Sequence, residues 1–175
     1  MNRKLCLFIA MSLDGFIAKP DGDISFLSEV EQKGEDYGYS AFMESVDTVV
    51  LGRKTYEKIL SMGVDKPYGE REVYVLTRNP HSGTDKLTFY SGSLPQLISS
   101  LKSNPGKNIF CDGGALTVQR LLQEDLIDEF IISIIPILLG DGISLFNKRF
   151  QEKKLQLVSS KSFEKGLAQL HYIRT

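Results

Sequence analysis

Two places in the chain put glycine where a buried strand turns into a helix. Gly52-Arg53-Lys54-Thr55 follows the apolar run Val46 to Leu51, and Gly113-Gly114 follows Asn108-Ile109-Phe110-Cys111-Asp112. A helix start exposes unpaired N–H groups and the positive end of the helix dipole, so it favours an anion, and glycine lets a phosphate reach the backbone. Arg53 and Lys54 add positive charge at the first junction. Two such junctions suit the two ends of a pyrophosphate, although each by itself is equally compatible with an ordinary tight turn. Carboxylates are the other candidates. Asp14 is either a substrate contact or the first half of an Asp-Gly turn, and Glu35-Asp36 contains either a site carboxylate or an acidic helix start.

Other chemistries are poorly served. Gly140-Asp141-Gly142 begins like a dinucleotide fingerprint, but the third glycine position is Leu145, and the chain has no Gly-Lys-Ser/Thr, HExxH or GxSxG sequence. Cys6 and Cys111 lie in apolar strand-like runs without CxxC spacing, and the histidines are His81 and His171. Two buried free thiols are expected, and no metal site.

The elements that must carry these residues can be read from period and punctuation. Lys4 to Ser12, Val46 to Leu51, Glu72 to Thr77, Asn108 to Cys111 and Glu129 to Ile135 have the composition of buried strands. A weak amphipathic pattern predicts a helix over Asp36 to Met43, and good helix formers predict another over Lys54 to Met62. Ser93-Leu94-Pro95-Gln96 is a capping box with Pro in the first turn, ahead of a face made by Leu94, Leu97, Ile98 and Leu101. Ala115, Val118, Leu121 and Leu122 form the face of a further helix. Leu155 to Phe163 and Leu167 to Arg174 alternate around Glu164-Lys165-Gly166, as in an antiparallel hairpin. Strand and helix thus alternate through the middle, which predicts an α/β sandwich with a mostly parallel sheet and an antiparallel C-terminal edge.

The 175 residues suit one domain over 1–175, and 42% hydrophobic with 25% charged residues is a globular composition. Twenty-one basic against 22 acidic residues give a net charge of -1, so neither nucleic acid nor an anionic membrane is an expected partner. No apolar run approaches a membrane span, and the opening Lys4 to Met11 is too short for a secretory signal, so a cytoplasmic location is expected.

Assembled, the motifs resemble a family. Ser12-Leu13-Asp14-Gly15-Phe16-Ile17-Ala18, Gly52-Arg53-Lys54-Thr55, Leu76-Thr77-Arg78 and Gly113-Gly114-Ala115 look like the dihydrofolate reductase fold, a three-layer sandwich. Ser12 to Ala18 with Pro136-Ile137-Leu138-Leu139-Gly140-Asp141-Gly142 and Leu145-Phe146 look like its riboflavin-pathway branch, the C-terminal reductase domain of bifunctional deaminase-reductases. The resemblance implies NADPH bound across the sheet. Gly52, Arg53, Lys54 and Thr55 would hold phosphate, and Gly113, Gly114, Ala115 and Leu116 the pyrophosphate from the other side. Leu76, Thr77 and Arg78 would receive the adenosine end, where a hydroxyl and a guanidinium suit a 2'-phosphate. Ala10, Ile17 and Ala18 would line the nicotinamide slot. Asp36 stands 16 positions before Gly52, the spacing of the ring-binding carboxylate in folate reductases. A buried carboxylate there would hold an N–C–N edge and aid protonation as hydride arrives.

The resemblance has departures. The His and Arg that riboflavin-pathway enzymes usually carry before the second strand, and their Asp-Pro segment followed by Arg, are absent, while Gly52-Arg53-Lys54-Thr55 is closer to the folate reductase form. The expectation is a homodimeric NADPH-dependent reductase of a small heterocycle or its imine or carbonyl form, of the 5-amino-6-(5-phosphoribosylamino)uracil reductase type, with Asp36 catalytic and Asp14 a substrate contact. The alternatives are a dihydrofolate or pteridine reductase, or a non-catalytic NADP-binding paralogue.

Overall fold

A computed structural model describes residues 3–64, 66–146 and 150–175. Eight strands form one sheet in the order β5-β4-β3-β6-β1-β7-β10-β9, the ranges being β1 Leu5–Ser12, β3 Val46–Gly52, β4 Glu72–Leu76, β5 Leu87–Tyr90, β6 Asn108–Gly113, β7 Glu129–Ile135, β9 Leu155–Ser162 and β10 Ala168–Arg174. Pairings from β5 through β7 are parallel, and β10 runs antiparallel to both β7 and β9. The parallel centre and antiparallel C-terminal edge therefore stand as expected. Two short strands, β2 (Phe16–Ala18) and β8 (Ile143–Ser144), pair apart from the main sheet.

Alternation along the strands sends side chains to two cores. On one face α3 (Leu94–Ser103) and α4 (Ala115–Gln123) cover Leu5, Leu7, Val50, Ile109 and Cys111. Leu94, Leu97, Ile98 and Leu101 of α3 are all buried, each worth roughly 1.5–3 kcal/mol, as a 3.6-residue period requires. On the other face α1 (Tyr39–Glu44) and α2 (Arg53–Ser61) cover Cys6, Val49, Leu51, Val73, Val75 and Phe110. Both cysteines are free and buried, and burial pushes each thiol up to about 12, which keeps them inert.

The sequence expectation for α1 needs correction at its start. The helix begins at Tyr39, not Asp36, because Gly38 takes a left-handed conformation at φ 81° and breaks the helical path. The strands β2, β5 and β8 carried no period-2 pattern long enough to read.

Candidate active site

In the sheet β3 and β6 are neighbours, yet the chain leaves them in opposite directions. From β3 it crosses through α2 to β4, and from β6 through α4, past β1, to β7. Such a reversal opens a crevice beyond the C-terminal ends of the two strands, which is where open α/β sheets bind ligands. Both glycine junctions lie there. Leu51 pairs with Gly113 across the sheet, and Thr55 Oγ1 in the first turn of α2 accepts from Gly114 N at 2.8 Å.

Neither α2 nor α4 has a side-chain cap, their N-caps being Gly52 and Gly114. A side chain would be crowded at either place: a Cβ on Gly52 would lie 2.8 Å from Thr117 Oγ1, and one on Gly114 would lie 3.0 Å from Thr55 Oγ1. Two adjacent nine-residue helices with bare, uncapped starts fit a pyrophosphate. Leu116 is 72% exposed at the second junction. Arg53 is drawn into an ion pair with Glu57 at 2.7 Å, so less of its charge is free for a phosphate than its position suggests.

Thr77 and Arg78 follow β4 on the same side. Thr77 Oγ1 accepts from Asn79 N at 3.2 Å, and Arg78 is exposed with no ion-pair partner among the described residues. Leu76 packs against the α3 and α4 core. Beyond β1, Ala18 is buried and Ala10 and Ile17 are half-buried. The segment carrying Ile17 and Ala18 is fixed by the Gly140–Leu145 loop: Leu145 N donates to Gly15 O at 2.9 Å, and a Cβ on Gly142, at φ 158°, would lie 2.3 Å from Ala18 O.

The two aspartates expected at the site stand differently. Asp36 is exposed and precedes α1, and its carboxylate accepts from Gly38 N and Ser40 N, each at 2.9 Å. The Ser40 side chain, then these N–H groups, hold its carboxyl below the ordinary carboxylate range. The burial expected of this carboxylate is therefore corrected: Asp36 is an exposed turn residue, because the late start of α1 leaves it outside the helix. Asp14 turns to the loop: its oxygens accept from Ser12 Oγ at 2.5 Å, Gly140 N at 2.7 Å and Leu139 N at 3.1 Å. The Ser12 hydroxyl is the largest cause of its lowered pKa. This geometry makes Asp14 a tie between the β1–β2 turn and the Pro136–Gly142 segment.

A third carboxylate occupies the crevice. The β3–β6 register jumps from Val50↔Cys111 to Leu51↔Gly113, so Asp112 is the unpaired residue of a bulge directly before the second junction. It is half-buried on the α1 and α2 side of the sheet, and Tyr68 donates a hydrogen bond to its Oδ2. Burial raises its carboxyl to about 6, against the lowering effect of the Tyr68 bond. Tyr39, at the start of α1, sits edge-on to Phe8 and Phe110 at 5.6 and 6.3 Å, and its phenol is pushed up to about 12 by burial first and by the Asp112 charge second. A carboxyl poised near neutrality, flanked by phenols beside two uncapped helix starts, can take up or release a proton in the crevice. The signal for Asp112 was present in the sequence as an acid closing the apolar run Ile109-Phe110-Cys111 in front of two glycines.

This sheet and its crevice define the dihydrofolate reductase fold. The likeness extends to dihydrofolate reductase of Enterococcus faecalis complexed with NADP(H), at a TM-score of 0.69 and 18% identity over 100% of this chain and 99% of that one. Within that fold the chain belongs to the RibD C-terminal domain family, whose model matches residues 3–169. It is 46% identical to the uncharacterized protein YwjB of Bacillus subtilis (strain 168) over 175 residues, 99% of each chain. The structure of a "putative riboflavin biosynthesis protein" from Shewanella sp. PV-4 is similar at a TM-score of 0.90 and 35% identity, covering 100% of this chain and 99% of that one. The deaminase/reductase of Thermotoga maritima shares the fold at a TM-score of 0.73 and 15% identity, with 99% of this chain covering 57% of that one. The family is one of riboflavin-type reductases. No helix among the described residues is long and apolar enough to cross a membrane, and no group of three or more metal-ligating side chains occurs among them.

Proposed function

We propose that the protein is an NADPH-dependent reductase that delivers hydride to a small heterocycle or its imine or carbonyl form, with an aminopyrimidine of the 5-amino-6-(5-phosphoribosylamino)uracil kind as the leading substrate class. The observation that carries the reading is the pair of uncapped glycine starts of α2 and α4, joined by the Thr55–Gly114 hydrogen bond and opening beside Asp112. Bound there, the nicotinamide supplies the hydride. Gly52 to Thr55 and Gly113 to Leu116 hold the pyrophosphate through backbone N–H groups other than that of Gly114, which donates to Thr55 Oγ1. Leu76, Thr77 and Arg78 receive the adenosine end, the exposed Arg78 guanidinium facing a 2'-phosphate. Ala10, Ile17 and Ala18 keep water from the nicotinamide side. Asp112 holds or moves the proton that accompanies hydride arrival, in the role first expected of Asp36.

Calorimetry with the two nicotinamide cofactors tests the first part. One charge-assisted contact to a 2'-phosphate is worth roughly 1.5–3 kcal/mol, so NADPH binds more than about tenfold tighter than NADH, and equal affinities overturn the assignment. Following NADPH oxidation against pyrimidines, pterins, imines and carbonyls tests the second. Turnover of pterins alone supports a pteridine reductase, and tight NADPH binding without turnover of any of them supports the non-catalytic paralogue.

The same reading includes a homodimer. The expected dimer rests on the family resemblance and on the Ile- and Leu-rich segment Phe130 to Leu139, but Phe130, Ile132 and Ile135 are buried in β7, which pairs on both sides, so that segment is largely central strand. The surface that suits a second copy is instead β9, an edge strand with Leu155, Leu157 and Val158 exposed. Sedimentation at micromolar concentration gives a dimer, and a monomer alone overturns this part.

A further inference from the structure

Tyr68 lies in the connection between α2 and β4 and is 4% exposed. Its place is fixed by one arginine: Arg71 Nη1 donates to Tyr68 O at 3.1 Å, Nη2 to Met43 O at 2.6 Å and Nε to Val46 O at 3.1 Å. The end of α1, the start of β3 and the Tyr68 connection are thus clamped together. Asp112 is fixed from the other direction by the bulge in β6. The Tyr68 hydroxyl reaches Asp112 Oδ2, and Oδ1 has no hydrogen-bond partner among the described residues.

We propose that Tyr68 is a positioning residue for Asp112: by donating to Oδ2 it leaves the carboxylate's Oδ1 to accept from a ligand, so the substrate class is one that presents an N–H or O–H donor beside the carbon receiving the hydride. The word substrate rests on the reductase reading, whereas the pairing of Tyr68 with Asp112 does not.

The chemistry of the surroundings supports the arrangement. Burial, then the Asp112 charge, raises the Tyr68 phenol far above its ordinary range, so it stays protonated and stays a donor. The other titratable or charged groups facing the pair are Tyr39 from α1, Tyr56 from α2 and Arg71, which acts on Tyr39. A neutral donor bonded to one oxygen stabilises the anion, so its removal raises the Asp112 pKa.

The test uses the full chain with carboxyl-labelled aspartate, titrated by NMR. Wild type shows one aspartate with a midpoint near 6, and Asp112→Asn removes that resonance. Tyr68→Phe keeps the ring and moves the midpoint up by about one pH unit. An unchanged midpoint in Tyr68→Phe, or no aspartate titrating above the ordinary range in wild type, overturns the positioning role. For the substrate class, an aminopyrimidine and its N-methylated counterpart compete for NADPH oxidation: inhibition of wild type differs by about tenfold or more, and equal inhibition overturns the donor requirement. The titrations need neither NADPH nor substrate. Failure of NADPH binding therefore overturns the reductase reading and leaves the pairing standing, while a flat titration does the reverse.

Discussion

The starts of α3 and of α2 and α4 solve the same physical problem in opposite ways. Every helix leaves its first N–H groups without partners. At α3, Ser93 Oγ accepts from Gln96 N at 3.5 Å and Pro95 occupies the first turn, so the chain closes its own helix end. At α2 and α4 the N-caps are glycines with no capping side chain of their own, and the one side chain that answers among the described residues is Thr55 Oγ1, which accepts from Gly114 N. The start of α3 is finished by its own Ser93, whereas the starts of α2 and α4 leave backbone N–H groups that the proposed reading gives to a phosphate. The two carboxylates differ in the same sense: Asp36 completes a turn by accepting from Gly38 and Ser40, whereas Asp112 keeps one oxygen unbonded among the described residues.

The sharpest way to break this contrast is at Asp112. Asp112→Asn lowers turnover of the best substrate by ~100- to 10,000-fold while NADPH affinity stays within a few-fold. The same variant carries a stability signature. The folded carboxyl titrates at about 6, above its ordinary 3.8, so the native state holds the extra proton and stability falls as pH rises through that window. Chemical denaturation across pH shows this slope in wild type and a flatter one in the variant.

Next in size are the bare junctions. Gly52→Ala and Gly114→Ala place a methyl against Thr117 and Thr55 and cover the helix starts, and each weakens NADPH binding by about tenfold or more in calorimetry. Wild-type affinity in both variants would mean that the open starts hold no phosphate. Arg78→Ala narrows the preference for NADPH over NADH by roughly tenfold and leaves NADH binding nearly unchanged. The control on the closed side is Ser93→Ala, which costs about 1 kcal/mol of stability in denaturant titration and leaves both cofactor affinities alone. Smallest is Asp36→Asn: it lowers the melting temperature slightly and leaves turnover within a few-fold, and a collapse of turnover would return the catalytic role to Asp36.

Much of the scaffold was legible in the chain because it is written in local terms. The period of Leu94, Leu97, Ile98 and Leu101 states one buried helix face, and the run Glu129 to Ile135 states a strand buried on both sides; each holds whatever surrounds it. The short β2, β5 and β8 were not legible, since two to four residues carry no period and take their conformation from a neighbouring strand. Of the site, the glycines could be read as helix starts, but that Gly52 and Gly114 come together follows from β3 pairing with β6, two strands far apart in sequence.

Asp36 and Asp112 mark where the sequence stopped deciding. A weak amphipathic pattern put Asp36 on a helix and the family resemblance put it in a pocket, but a left-handed Gly38 and two nearby N–H groups made an exposed turn the better place for its charge. The sequence by itself determined the order of the long strands and of the helices, the two glycine starts and the buried thiols, because hydrophobic period and backbone freedom act within a few residues. Only the tertiary structure decided which carboxyl is held near neutrality. That depends on a bulge between paired strands, on burial beneath α1 and α2, and on a tyrosine hydroxyl brought from 44 positions away. A pKa is set by everything within a few ångströms, and those neighbours are chosen by the fold.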